Sequence, residues 1–100
     1  MFESPTAKRN LLQALRRNLS GYDVAVQRNR ILEVLQAGHA LTTLEARREL
    51  DVLMPATRIF ELREAGHPIE KIMVDANTEA GVRHRVARYF LAKPSPEDSR

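Results

Sequence analysis

The spacing of apolar residues in this 100-residue chain changes near residue 66. Before that point, apolar positions recur every three or four residues, which is the spacing of one buried helix face. After it, residues 69–76 and 82–91 are rich in β-branched and aromatic side chains, and residues 77–81 between them have the composition of a turn. The pattern therefore predicts a mainly α fold that ends in one small β-hairpin.

The first predicted helix spans residues 5–20 and has Ser4 as its N-cap. Its leucines form a narrow apolar stripe: Leu11, Leu12, Leu15 and Leu19. Two interpretations of the stripe are open. It can complete the core of its own chain, or residues 1–22 can form an arm that pairs two copies into a homodimer. The arm interpretation predicts that deletion of residues 1–19 leaves a folded monomer.

The second predicted helix begins at Asp23, which caps it, and ends at Gly38. Arg28 and Arg30 are predicted on its polar sides. Its apolar residues predict a central core helix: Val24, Val26, Ile31, Leu32 and Leu35.

Two short helices joined by a tight turn follow. Thr42 and Glu45 have the spacing of a capping box at the start of the first helix. Asp51 occupies the turn, where a short polar side chain tolerates a left-handed backbone. Pro55 suits the first position of the second helix, and Gly66 ends it. The order helix, turn, helix is that of a DNA-reading unit.

In the second of these helices, Ile59 and Leu62 share the face that must point to the core. The N-terminal end is then left to approach a major groove, with these residues: Pro55, Ala56, Thr57 and Arg58.

The second strand of the hairpin is rich in basic residues: Arg83, His84, Arg85 and Arg88. Such a strand suits contact with phosphates, although charge can also serve only to keep an edge strand solvated. Because side chains point to alternate faces of a strand, Arg83 and Arg85 would share a face with Ala87, Tyr89 and Leu91, which are apolar or aromatic. Either the strand leaves the core as a wing, or a bulge near Val86 changes the phase.

Four segments of the chain resemble the small winged helix-turn-helix domains common in bacteriophage and prophage genomes: residues 27–32, 41–46, 58–69 and 86–91. The resemblance implies a three-helix core plus a wing, here with an extra N-terminal helix, and it implies binding to double-stranded DNA. Together with the pattern, it predicts these DNA contacts: Thr43, Pro55, Ala56, Thr57, Arg58, Glu61, Arg83, His84, Arg85 and Arg88. Phe60 stands where such domains often have a small polar residue, and it can pack on the wing, pack on the N-terminal helix, or lie exposed.

Charge and composition agree with this prediction. The formal net charge is +3. Between Lys8 and Arg30 there are six basic residues and one acidic residue, Asp23, so this segment and the wing could both bind the phosphates of a DNA backbone. The chain has no cysteine, no apolar run of membrane length and no secretory leader, which favours the cytoplasm. We expect a winged helix domain over residues 23–93 and a disordered tail over residues 94–100.

Enzymatic function is not expected. His39, His67 and His84 form no pair at helical metal-ligand spacing, and the scattered glycines form no phosphate loop. We expect no cofactor, metal or small-molecule ligand. The alternative function is a protein–protein interaction module on the same scaffold, favoured by Glu61 and Glu64, whose carboxylates would repel phosphates.

Overall fold

The computed structural model describes residues 5–18, 21, 23–78 and 80–92. These residues form four helices and three strands in the following order: α1 Pro5–Asn18, α2 Val24–Gln36, β1 Leu41–Thr42, α3 Thr43–Glu49, α4 Pro55–Glu64, β2 Ile69–Asn77 and β3 Arg83–Leu91. The predicted fold class is confirmed, since helices come first and a hairpin ends the described chain. Strand β1 was not predicted, because two residues are too few to show an alternating pattern.

One apolar core joins all of the helices to the base of the sheet. Ile31, Val34 and Leu35 of α2 lie at its centre, and Ile59 of α4 and Tyr89 of β3 pack on the same cluster. Burial of these side chains is the main favourable contribution to the folding free energy.

Helix α1 belongs to this core. Leu12 and Leu15 are buried in it, and Leu11 packs against it partly buried. Leu19 lies outside the described residues. Leu12 and Leu15 therefore have partners within their own chain, which favours core completion as the role of the stripe.

The predicted helix ends follow from local hydrogen bonding. Asp23 caps α2 by accepting from the Ala25 backbone N–H at 2.8 Å. The Thr42 hydroxyl accepts from the Glu45 N–H at 3.1 Å, while the Glu45 carboxylate accepts from the Thr42 N–H at 2.9 Å, so the capping box is present. In the turn between α3 and α4, Asp51 has a φ of 57°. These groups fix where α3 begins and how it turns into α4.

The prediction that Arg30 lies on a polar side of α2 is wrong. Arg30 is 1% exposed. Its guanidinium donates to the carbonyl of Gly21 at 3.0 Å and to the carbonyl of Asp51 at 3.4 Å. A buried cation of this kind is tolerated because its hydrogen bonds replace those it made to water.

The sheet has the order β1-β3-β2 and is antiparallel. Strands β2 and β3 pair one for one from Ile69↔Leu91 to Asn77↔Arg83. Val74 lies opposite Val86 without an extra residue, so there is no bulge at this point. Of the two predicted solutions, the structure adopts the first: the strands continue beyond the core as a wing, which we define as β2, β3 and the described residues between them.

Some predictions fall on residues that the structure does not describe. These are the Ser4 cap, Leu19 and the disordered tail of residues 94–100. Among the described helices, none has both the length and the apolar character that a membrane span requires.

Candidate nucleic-acid interface

Helix α4 has one face in the core and one face exposed. Pro55, Ile59 and Leu62 are buried. Thr57 and Phe60 lie about 100° to 160° around the helix from Ile59 and Leu62. Pro55 was predicted as a contact, but its buried ring has no surface to offer a ligand.

In its first two turns, the outward face of α4 consists of Ala56, Thr57 and Phe60, preceded by Leu53 and Met54, and this part is mostly apolar. The last turn adds the exposed side chains of Arg63 and Glu64 to the same face. Phe60 is 61% exposed and Leu53 is 65% exposed, so of the three predicted placements of Phe60 the exposed one is present. Thr57 is half-buried and Ala56 is exposed.

Arg58 is held by its own chain. Its side chain is 12% exposed, and its Nε lies 3.1 Å from Glu61 Oε1. The same Glu61 oxygen accepts from Arg28 of α2 at 3.0 Å. One carboxylate therefore joins two guanidinium groups and fastens α4 to α2. Arg58 and Glu61 were both predicted as DNA contacts; in this arrangement Arg58 would have to leave Glu61 before it could reach a base.

Two further hydrogen bonds fix the ends of α4. Arg47 of α3 donates from Nε to the carbonyl of Leu53 at 3.3 Å, just before α4 begins. Arg63 donates from Nε to the carbonyl of Ile69 at 2.9 Å, which ties the last turn of α4 to the start of β2. These two hydrogen bonds add to the shared core of Ile59, Leu62, Ile69 and Tyr89 in holding α4 next to the base of the wing.

The wing does not present its basic residues on one face. Since side chains alternate along a strand, Arg83 and Arg85 lie on the face that includes the buried Tyr89 nearer the core, whereas His84 and Arg88 lie on the opposite face. All four are exposed. A flat surface cannot contact all four side chains at once. A groove that encloses the tip of the wing can contact both of its faces.

The wing tip is less basic than β3 alone suggests. Asp75 of β2 pairs in register with Arg85, and its carboxylate lies 3.5 Å from the Arg83 guanidinium. Both side chains of this ion pair are largely in water, so it contributes little to stability and leaves Arg83 able to exchange partners.

Thr43 lies apart from the other predicted contacts, at the first position of α3. Its hydroxyl is 3.5 Å from the carbonyl of Ala87, so it lies where α3 meets β3. The structure thus places Ala56 and Thr57 together on α4 and the four basic residues together on the wing.

The basic residues between Lys8 and Arg30 divide into two groups. Lys8 pairs with Glu45 of α3 at 2.8 Å, and Arg28 and Arg30 make the contacts described above. The others are exposed on α1: Arg9, Arg16 and Arg17. Only the second group has the exposure that phosphate contact requires.

Sequence reasoning missed some features of this surface. Leu53 was not predicted as exposed, and Lys71 of β2 is an exposed basic residue of the wing that was not selected. His39, which follows α2, is buried.

The described residues contain no group of three or more histidine, cysteine, aspartate or glutamate side chains able to hold a metal ion.

A comparison with curated proteins finds no match. A family model described as a winged helix-turn-helix domain matches residues 26–94. That stretch begins in α2 and contains β1, α3, α4 and the whole wing. The chain therefore belongs to the winged helix-turn-helix domain family.

Proposed function

We propose that this protein binds double-stranded DNA, with α4 in the major groove and the wing on the backbone. The observation that carries the proposal is the exposure of Arg83, Arg85 and Arg88 on a wing whose position is fixed to α4 through the Arg63 hydrogen bond. Cations at this place can neutralise phosphates on either side of a groove.

The helix dimensions agree with this role. Ten residues give α4 a length of about 15 Å, and its outward face is free of bulky charged side chains at the N-terminal half. The first turn contains no acidic residue, so the partial positive charge of the helix start is not cancelled and favours nearby phosphates.

We further propose that the protein is a small transcriptional regulator or architectural factor of the phage type and that it acts in the cytoplasm. Because one small module buries little surface on DNA, we propose that two copies act together. The surface that joins them would not be the leucine stripe, whose Leu12 and Leu15 already lie in the core.

The test is the salt dependence of binding to a random-sequence duplex. Replacing both Arg83 and Arg85 with alanine should weaken binding to all sequences alike. It should also flatten the slope of log affinity against log salt by roughly 0.9 for each phosphate that the variant no longer neutralises. Fluorescence anisotropy at several salt concentrations measures both quantities.

The matched control is the double alanine variant of Arg16 and Arg17, two exposed arginines on α1. It removes the same charge away from the wing. If the wing variant keeps the wild-type affinity and slope, the wing is only a solvated edge and the proposal fails. If both variants are weakened equally, overall charge and not the wing governs binding.

A protein–protein interaction module is the second candidate. The observation in its favour is the apolar character of Leu53, Met54 and Phe60, since exposed apolar patches often mark protein contacts. Failure to bind any duplex at low salt would favour it.

A further inference from the structure

We propose that the outward face of α4 recognises the 5-methyl groups of thymine in the major groove, with Phe60 as the principal contact. This inference rests on the proposed function and names the chemistry by which the same helix would read DNA. It begins from the side chains that α4 leaves exposed.

The two arginines of α4 are both engaged within the chain. Arg58 is paired with Glu61 and mostly buried, and Arg63 donates to the carbonyl of Ile69. Guanine is commonly read by arginine or lysine that donates to O6 and N7. Arg63 lies in the last turn of α4 and is exposed, so the first two turns, which contain Ala56 and Thr57, present no exposed cation, and the chemistry that this part of the helix offers a base edge is a different one.

The chemistry that remains is apolar contact. Phe60 is an exposed large apolar side chain of α4, Leu53 and Met54 are exposed just before the helix, and Ala56 lies one helical turn before Phe60. In the major groove, the thymine methyl is the apolar group of a base edge, and alanine, phenylalanine and the methyl group of threonine are side chains that contact it. Thr57 adds such a methyl on the same face.

The acids of α4 are compatible with this placement. Glu61 is turned to Arg28 and Arg58. Glu64 lies at the last position of the helix, one turn beyond Phe60. Glu64 shares the exposed face with Phe60, and it lies about 6 Å further along the helix axis. A helix that enters the groove with its N-terminal end deepest therefore leaves the Glu64 carboxylate at the edge of the contact.

The test compares two duplexes that differ only in the methyl group. One is an alternating A·T duplex of about 20 base pairs, roughly two helical turns; the other has deoxyuridine at every thymine. Their minor-groove edges carry the same donors and acceptors, so minor-groove reading cannot separate them. Wild-type protein should bind the thymine duplex more tightly, by about fourfold for each methyl group buried.

Phe60→Ala should bind the two duplexes with nearly equal affinity while keeping the wild-type salt slope, because it removes an uncharged side chain. The matched control is Val24→Ala, which removes an exposed apolar side chain at the start of α2, outside both α4 and the wing, and should keep the preference for thymine. Since Phe60 is exposed, an unchanged melting temperature is expected and shows that the variant is folded.

The inference is overturned if wild-type protein binds both duplexes equally, or if Phe60→Ala keeps the thymine preference. In either case DNA binding itself would stand, and a protein partner would be the expected occupant of this face. If neither duplex is bound even at low salt, the proposed function fails, and the inference fails with it.

Discussion

At the scale of single residues, α2 carries two arginines with different environments. Arg30 is buried and donates to two carbonyls that lie outside α2, those of Gly21 and Asp51. Arg28 is half-buried and shares Glu61 with Arg58. Their spacing of two residues places them on different sides of the helix. One arginine is therefore buried in the interior, and the other forms an ion pair at the surface.

We therefore expect Arg30→Ala to lower the free energy of unfolding by about 3 kcal/mol, since hydrogen bonds from a buried charged group contribute about 1.5–3 kcal/mol each. Arg28→Ala should cost less than about 1 kcal/mol, because partly solvated ion pairs contribute little and Glu61 keeps Arg58. Urea unfolding followed by circular dichroism measures both values. Equal destabilisation by the two variants would contradict a structural role specific to Arg30.

At the scale of secondary structure elements, α3 depends on one carboxylate with two functions. Glu45 completes the capping box with Thr42 and also binds Lys8 of α1 at 2.8 Å and 3.0 Å through its two oxygens. The start of α3 and the attachment of α1 are thus determined at the same side chain.

Thr42→Ala should destabilise the protein by about 1 kcal/mol, the usual cost of removing a side-chain N-cap. Glu45→Gln can still accept from the Thr42 N–H but lacks the charge that attracts Lys8, so it should cost less than about 1 kcal/mol. Thr42→Ser is the control that retains a hydroxyl. Thermal unfolding measures the three variants, and a Thr42→Ser destabilisation as large as that of Thr42→Ala would contradict the capping explanation.

The element boundaries could be predicted because the groups that set them are close in sequence. Thr42 with Glu45, Pro55 at the helix start and Gly66 at its end act within a few residues. The burial of Arg30 could not be predicted with the same ease, because its acceptors are 9 and 21 residues away. One signal was available: Arg30 lies four residues before the buried Val34, on the same side of α2.

For the candidate site, sequence reasoning located α4 and the wing but not the state of their side chains. The pairing of Arg58 with Glu61 follows the three-residue spacing of a helix surface. The third member, Arg28, comes from another helix, 33 residues away. Tertiary packing therefore decides which arginines remain available to a ligand. Contacts between residues so far apart in the sequence leave no local pattern from which they could be predicted.

At the scale of the whole molecule, α1 extends the core beyond the residues matched by the family model. Leu12 and Leu15 are buried although α1 precedes residue 26, where the match begins. The winged helix domain and its N-terminal helix thus form one packed unit in the described chain.

We expect Leu12→Ala to cost about 2–4 kcal/mol, as large-to-small changes in a core do, and deletion of residues 1–18 to abolish cooperative unfolding. Gln13→Ala, at an exposed position next to Leu12, should change stability by less than about 0.5 kcal/mol. Chemical denaturation gives the stabilities, and light scattering gives the mass of the truncated protein. A stable, folded truncation would restore the arm interpretation.

The fastening of α4 has a consequence for the thermodynamics of association. The helix is restrained at its beginning through Arg47, in its middle through Arg28 and Glu61, and at its end through Arg63. Because of these three restraints, α4 should lose little conformational entropy when a ligand binds. Little of the favourable interaction free energy is then offset by the cost of ordering the helix, so the affinity is higher than for a mobile helix with the same contacts.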